Sequence, residues 1–125
     1  MFKDNFFSII SRSETTNSTT FVVEFNAEHE IYKAHFPNNP ITPGVCIIQV
    51  IKELFSDLKQ KKFFIKQVKS VKFTSPINPL VTPKVSYQLD IEDTDEENSY
   101  HIKAITYADN TIFSKVNLLL VAEEL

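Results

Sequence analysis

A proline-rich stretch holds the residues of this chain whose types and spacing could do chemistry. It reads His35-Phe36-Pro37-Asn38-Asn39-Pro40-Ile41-Thr42-Pro43-Gly44-Val45, and its three prolines predict a loop with a stiff, fixed path. His35 is a candidate proton-transfer group because an unperturbed imidazole titrates near neutral pH. Average usage would give a chain of this length about nine glycines. Gly44 is the only one, so its position is informative.

Gly44 falls where a helix is predicted to begin. The first backbone N–H groups of a helix have no partner within it, so those of Gly44 and Val45 should be available. A residue without Cβ lets a ligand approach closely, and an N–H at the positive end of a helix can polarise a carbonyl as charge develops on its oxygen. The predicted chemistry is proton removal beside a carbonyl, with the enolate-like oxygen held at the helix start.

The helix itself is predicted from local signals. Thr42 is a suitable N-cap and Pro43 suits the first helical position, which makes Gly44 the second. Apolar residues then recur at helical spacing, at Ile48, Ile51, Phe55 and Leu58. Three lysines follow where cations stabilise the negative end of the helix dipole, at Lys59, Lys61 and Lys62. Residues 45–51 are apolar all round except at Gln49, which predicts a helix enclosed on most sides.

The rest of the chain predicts strands. Alternating or β-like segments occur at Phe6–Ser11, Thr20–Asn26, Phe63–Phe73, Lys84–Glu92, Tyr100–Tyr107 and Ile112–Val121. The alternation breaks within Phe63–Phe73, which predicts a bulge, and Glu28–Pro43 is predicted to be irregular. Short connections between successive strands favour antiparallel pairing. The predicted class is therefore α+β, with an antiparallel sheet of about five or six strands wrapped around one long central helix.

Composition narrows the class of protein. With 125 residues, 42% hydrophobic, the chain is predicted to form a single globular domain, residues 1–125. A net charge of −3 gives no support to nucleic-acid binding. One cysteine excludes an internal disulfide, and without a Cys/His cluster we expect neither a metal nor a cofactor. No segment predicts a membrane span or signal peptide, so the expected location is the cytoplasm.

Two blocks of sequence resemble a known family. The run His35-Phe36-Pro-x-x-Pro40-x-x-Pro43-Gly44-Val45 is similar to a motif of the 3-hydroxyacyl-acyl-carrier-protein dehydratases of hotdog fold, the FabZ and FabA type. Val71-Lys72-Phe73-x-x-Pro76-Ile77-x-Pro79 resembles a second block of that family. The resemblance implies a hotdog fold, His35 as the catalytic histidine and Gly44 as the oxyanion-hole glycine. It also implies substrate contacts at Phe36, Pro43 and Val45.

The chain departs from that family on the helix. The family's second catalytic residue is an acid fourteen positions after the histidine, and here that position is Gln49, whose amide cannot deliver a proton near neutral pH. One turn later, where the family usually has Gln, this chain has Glu53. Gln49 could position the substrate hydroxyl or be a core amide; Glu53 could reach the substrate or be a solvent-side partner of Lys52. The second block also continues with Leu80-Val81 instead of the family's Gly-Asp.

The resemblance also implies partners. Lys59, Lys61, Lys62, Lys66 and Lys69 form a run without acids, which is either a solvated surface or a docking patch for an acidic acyl carrier protein. Dehydratases of this type are dimers, often hexamers, with pockets at the dimer interface, so His35 of one chain would face Gln49 of the other. Three functions stay open: a dehydratase, an impaired pseudo-dehydratase paired with a sister subunit, and a thioesterase using Glu53. Cys46 is either a reactive thiol at the helix start or a small core residue.

Overall fold

An antiparallel sheet of six strands forms most of the computed structural model, which describes residues 1–34 and 38–123. The strands are β1 (Phe7–Glu14), β2 (Ser18–Phe25), β3 (Phe63–Phe73), β4 (Lys84–Asp93), β5 (Ser99–Ala108) and β6 (Thr111–Ala122). Their order across the sheet is β1-β2-β4-β5-β6-β3, and every neighbouring pair is antiparallel. The predicted α+β class and strand count are confirmed, and observed strand ends lie within three residues of the predicted ones.

The strand pattern of the sequence is realised in burial. Along β4 the side chains of Val85, Tyr87 and Leu89 are buried and those between them are partly exposed. The turn between β5 and β6 uses Asp109 at a positive φ of 51°, a conformation that Asp tolerates without glycine. The sheet therefore buries one face, and that face packs against a helix.

Helix α2 (Gly44–Lys59) lies across the buried face. Its N-cap is Pro43, in extended conformation, with no side-chain cap. The predicted N-cap at Thr42 is therefore wrong, and Gly44 is the first helical residue rather than the second. The helix ends because Gln60 adopts a left-handed conformation at φ 54°, so Lys61 and Lys62 lie beyond it rather than in its last turn.

The apolar first turns of α2 predict a helix enclosed on most sides, and this prediction is wrong. Its buried side chains face the sheet, but Val45 is 74% exposed and Ile48 is only partly buried. One sheet covers one side of a helix, so an apolar strip at the start of α2 has no cover among the residues that the structure describes.

A short helix, α1 (Glu30–Ala34), lies in the segment predicted to be irregular. The His29 carbonyl accepts the N–H of Tyr32, and His29 Nδ1 accepts the N–H of Ile31 at 3.1 Å. Tyr32 is buried, and its hydroxyl lies 2.8 Å from the Thr42 hydroxyl. Five residues are too few for a periodic pattern, and Thr42 cannot cap α2 because its hydroxyl serves Tyr32.

Strand β3 is an edge of the sheet, paired with β6 on one side. Its register shifts twice, between Ile65 and Gln67 and between Val68 and Ser70, which confirms the predicted irregularity. Most of its side chains are exposed, including Phe64, Val68, Val71 and Phe73. Across residues 1–34 and 38–123, no helix is both long and apolar enough to span a membrane.

Candidate functional site

The start of α2 presents two backbone donors. The N–H groups of Cys46 and Ile47 both return to the Pro43 carbonyl, at 3.0 and 3.1 Å. Within the described part of the chain, the N–H groups of Gly44 and Val45 donate to no other group. The two donors that the sequence places at the helix start are thus available to a ligand.

A cavity of about 390 Å³ lies beside Gly44. Its walls come from the end of the proline-rich loop, the first turn of α2 and the segment after β3; they are Ile41, Thr42, Gly44, Ile47, Phe73, Thr74, Ser75, Pro76 and Ile77. The lining is mostly apolar, and the segment after β3 is the second block that resembles the dehydratases. Apolar walls with a few polar groups at one end are typical of a small-molecule site.

The ring of Phe73 explains why residue 44 is a glycine, and the sequence alone does not reveal this reason. A Cβ on Gly44 would meet the Phe73 ring at 2.6 and 2.7 Å, well inside van der Waals contact. Gly44 has no positive φ, so backbone conformation does not require glycine there. The glycine admits the ring of Phe73, while its own N–H stays available.

Gln49 and Glu53 form a hydrogen-bonded pair one turn apart. Gln49 Nε2 donates to Glu53 Oε2 at 2.9 Å. The Phe2 N–H donates to both oxygens of Glu53, at 2.8 and 3.0 Å, and the Lys3 N–H donates to Oε1 at 2.8 Å. Glu53 is 1% exposed, so its interpretation as a solvent-side partner of Lys52 is wrong.

These two groups line a second cavity, of about 250 Å³, with Met1, Phe2, Val45 and Cys46. Gln49 therefore faces a cavity, and the carboxylate beside it is already hydrogen-bonded. Lys3 Nζ forms an ion pair with Asp57 Oδ1 at 2.8 Å, which raises the pKa of Lys3. The N-terminal residues are thus held to α2 at two successive turns.

The two cavities lie on different sides of α2. Gln49 follows Gly44 by five residues, which places it about 140° around the helix axis and about 7.5 Å along it. One chain therefore carries Gly44 on one side of the helix and the Gln49 amide, with Val45, on another. His35 and Phe36, predicted as the proton-transfer group and a substrate contact, lie outside the described residues.

Cys46 is a core residue in this structure. Its side chain is buried, and burial raises the pKa of its thiol. A thiol that stays protonated is a poor nucleophile. Burial likewise raises the pKa of Tyr32. Pro43 and Val45, predicted as substrate contacts, flank Gly44 at the helix start.

The basic run is divided between two places. Lys59 Nζ lies 5.1 Å from the centre of the Tyr100 ring, and Lys61 Nζ donates to Asn98 Oδ1 at 3.1 Å. Lys61 and Lys62 line a cavity with the carboxylates of Glu97 and Glu123. Lys66 and Lys69 are exposed on the edge strand β3 instead. The described structure does not gather the five lysines at one point, and their contact with a carrier stays a prediction.

Comparison with known proteins agrees with the fold and the two blocks. A family model described as ApeI-like, ApeI dehydratase, matches residues 11–116. A 3-hydroxyacyl-[acyl-carrier-protein] dehydratase FabZ of Caulobacter vibrioides is 28% identical, over 58% of this chain and 54% of that protein. The chain thus spans about half the length of this relative.

Solved structures share the architecture at low identity. The dehydratase heterocomplex ApeI:P from Xenorhabdus doucetiae contains a chain that aligns with a TM-score of 0.65 and 18% identity, covering 90% of this chain and 96% of that one. A mutant thioesterase from Pseudomonas aeruginosa aligns with a TM-score of 0.66 and 9% identity, covering 95% and 82%. These likenesses confirm the hotdog fold. Because the family model covers most of the sequence, the chain belongs to the ApeI-like dehydratase family.

Proposed function

We propose that this protein removes water from 3-hydroxyacyl thioesters carried by acyl carrier protein and gives the trans-2-enoyl product, in fatty-acid or related lipid or polyene biosynthesis. The observation that carries the proposal is the available N–H of Gly44, a residue that lines an apolar cavity, at the start of α2. An acyl chain fits apolar walls, and a thioester oxygen fits the positive end of a helix. The FabZ relatives support the same chemistry.

The proposed mechanism assigns one task to each group. The Gly44 N–H binds the thioester oxygen and stabilises the negative charge that develops when His35 takes the proton from C2. The bond from C3 to its hydroxyl oxygen then breaks as the double bond forms. Because the Gln49 amide has no proton to give near neutral pH, the imidazolium of His35 returns the proton to the leaving oxygen, and water departs.

The edge strand and the uncovered helix surface support a shared site in a dimer. An edge strand with exposed Phe64, Val68 and Phe73 offers unpaired backbone and apolar surface to a second copy. Val45 adds exposed apolar surface at the helix start. The Gly44 and Gln49 sides of α2 diverge within one chain, so pairing would let one copy complete the other's site.

One alternative function has an observation in its favour. Gln49 stands where the family has an acid, and the Xenorhabdus doucetiae neighbour is a dehydratase heterocomplex. A pseudo-dehydratase that pairs with an acid-bearing sister subunit would account for both. The thioesterase alternative is less well supported, because it needs Glu53 to activate water. Both oxygens of Glu53 already accept hydrogen bonds from donors of the same chain.

Turnover of 3-hydroxyacyl-carrier substrate tests the proposal. The native protein should form the enoyl thioester, followed by its ultraviolet absorbance, without release of free thiol. His35→Ala should lose at least about a hundredfold in rate, while His101→Ala, a matched change on β5, should keep full rate. Dehydration that persists in His35→Ala contradicts the mechanism. Activity that appears only on mixing with a sister subunit identifies the pseudo-dehydratase, and free thiol identifies a thioesterase.

The shared site has its own test at the middle of β3. Val68→Glu places a charge on the exposed edge strand, so we expect a monomer by light scattering and loss of turnover. Val81→Glu is the matched control, because Val81 is 77% exposed and lies outside β3. A fully active monomer in Val68→Glu would contradict the shared site.

A further inference from the structure

The carboxylate of Glu53 is buried and fully engaged by donors of its own chain. Three of its hydrogen bonds come from the N–H groups of Phe2 and Lys3 and one from Gln49 Nε2, all between 2.8 and 3.0 Å. A buried carboxylate is costly unless donors surround it, and here the chain supplies them. Glu53 is thus equipped to hold other groups in place rather than to exchange protons with substrate.

The hydrogen bond to Glu53 fixes which end of the Gln49 amide faces that carboxylate. An ionised carboxylate only accepts hydrogen bonds, so the group beside Oε2 must be the NH₂ of Gln49. The carbonyl oxygen, Oε1, is therefore held on the other side of the amide. Within residues 1–34 and 38–123, Oε1 accepts no hydrogen bond, and the Gln49 side chain lines the cavity of about 250 Å³.

We propose that Glu53 is a positioning residue that makes Gln49 an obligatory hydrogen-bond acceptor for the substrate's 3-hydroxyl. This inference rests on the proposed function. A hydroxyl that donates its hydrogen to Gln49 Oε1 keeps its lone pairs free for the proton that His35 delivers. The same arrangement selects the substrate class. A 3-hydroxyacyl thioester can donate a hydrogen bond to Oε1, whereas a 3-oxoacyl thioester would place its 3-oxo oxygen, a second acceptor, next to Oε1.

Binding of matched ligands tests this inference separately from turnover. In a His35→Ala background, which prevents dehydration, calorimetry would measure Kd for a 3-hydroxyacyl- and a 3-oxoacyl-pantetheine of equal chain length. We expect the 3-hydroxyacyl ligand to bind about 10-fold more tightly, since an unmatched acceptor pair forfeits a hydrogen bond. Adding Glu53→Gln should reduce the ratio to about 2-fold or less, because two amides can pair in either orientation. Gln49→Ala should reduce it equally.

Asp57→Asn is the matched control for the N-terminal contact. It removes the ion pair with Lys3 one turn further along α2 but leaves the bond between Gln49 and Glu53, so the binding ratio should persist. If Glu53→Gln does not fold, Glu53→Asp replaces it, because its shorter side chain withdraws the carboxylate from Gln49 and should lower the ratio in the same way.

Three results would overturn the inference. They are equal binding of the two ligands by the parent, a full ratio in the Glu53 variant, and a ratio that falls as far in Asp57→Asn. A fourth measurement separates positioning from proton donation: with His35 restored, Glu53→Gln should keep the shape of the pH–rate profile and raise KM more than it lowers kcat. Loss of one limb of the profile would make Glu53 the acid. Discrimination in binding without turnover would leave the inference standing and refute the proposed dehydratase activity.

Discussion

Two neighbouring regions of α2 treat their polar groups in opposite ways. At the helix start, the N–H groups of Gly44 and Val45 have no acceptor in the described part of the chain, and Gly44 borders an apolar cavity. About two and a half turns further along, the Glu53 carboxylate is saturated by N–H donors. The difference shows how one helix can divide its polar groups: the unsatisfied donors are available to a ligand, and the satisfied acceptor holds the structure around it.

Removing the satisfied group should have the largest effect on stability. Glu53→Ala leaves the partly buried N–H groups of Phe2 and Lys3 and the Gln49 amide without their acceptor. We expect the free energy of unfolding to fall by about 3 kcal/mol, measured by urea denaturation. Asp57→Asn, which breaks a partly exposed ion pair, should cost less than about 1 kcal/mol. Equal losses of unfolding free energy in the two variants would show that the Glu53 carboxylate stabilises only the contact with the N-terminal residues.

Exchanging the pair sharpens the same comparison. Gln49→Glu alone would set a second carboxylate where an amide now donates at 2.9 Å. Two carboxyl groups this close favour a shared proton between them, so this variant should be less stable by about 2 kcal/mol at pH 7.5 and recover as the pH falls towards 5.

Gln49→Glu/Glu53→Gln restores one acid and one amide, so its melting temperature should change little between pH 5 and 7.5. It also has the residue order of the FabZ-type family, with the acid at position 49. We therefore expect it to exceed Gln49→Glu in dehydration rate. A single Gln49→Glu variant that is as stable and as pH-independent as the exchanged pair would contradict the hydrogen-bond geometry.

A larger side chain at position 44 tests the contact between the helix start and Phe73. Gly44→Ala adds a methyl group 2.6 Å from the half-exposed ring of Phe73, and the ring must move away. We expect a cost of about 1 kcal/mol and slower turnover, although the backbone N–H is kept. In Gly44→Ala/Phe73→Ala the methyl group meets no ring, so the stability cost of the alanine should vanish. A double-mutant cycle by urea denaturation measures this coupling, and strict additivity would contradict the contact.

Local patterns in the sequence predicted the sheet well and the helix start poorly. Strand β4 alternates cleanly and β3 breaks its alternation at bulges, so both are local properties of their own residues. Thr42 has the right side chain for an N-cap, but its hydroxyl bonds Tyr32, ten residues earlier. Capping signals in a sequence describe a helix in isolation. Here a buried tyrosine from elsewhere in the chain binds the hydroxyl that would have capped the helix.

The candidate site was only partly visible in the sequence for a related reason. Gly44 and Gln49 could be placed because the first lies at a helix start and the second on its face. The partners that define their roles are distant along the chain: Phe73 is 29 residues from Gly44, and Phe2 is 51 residues from Glu53. The one available signal for Phe73 was its place in the second family-like block, whereas nothing in the sequence links Glu53 to the N-terminal backbone.

Cys46 gives the smallest expected effect and tests the border between the two regions. It lies in the first turn of α2, where the helix dipole favours a thiolate, but burial opposes this and raises the pKa of its thiol. Because a raised pKa keeps the thiol protonated at pH 8, alkylation by iodoacetamide should be at least about 10-fold slower in the folded protein than in urea. We therefore expect this turn to present no reactive thiol, and fast alkylation of the native protein would show instead that it exposes a nucleophile.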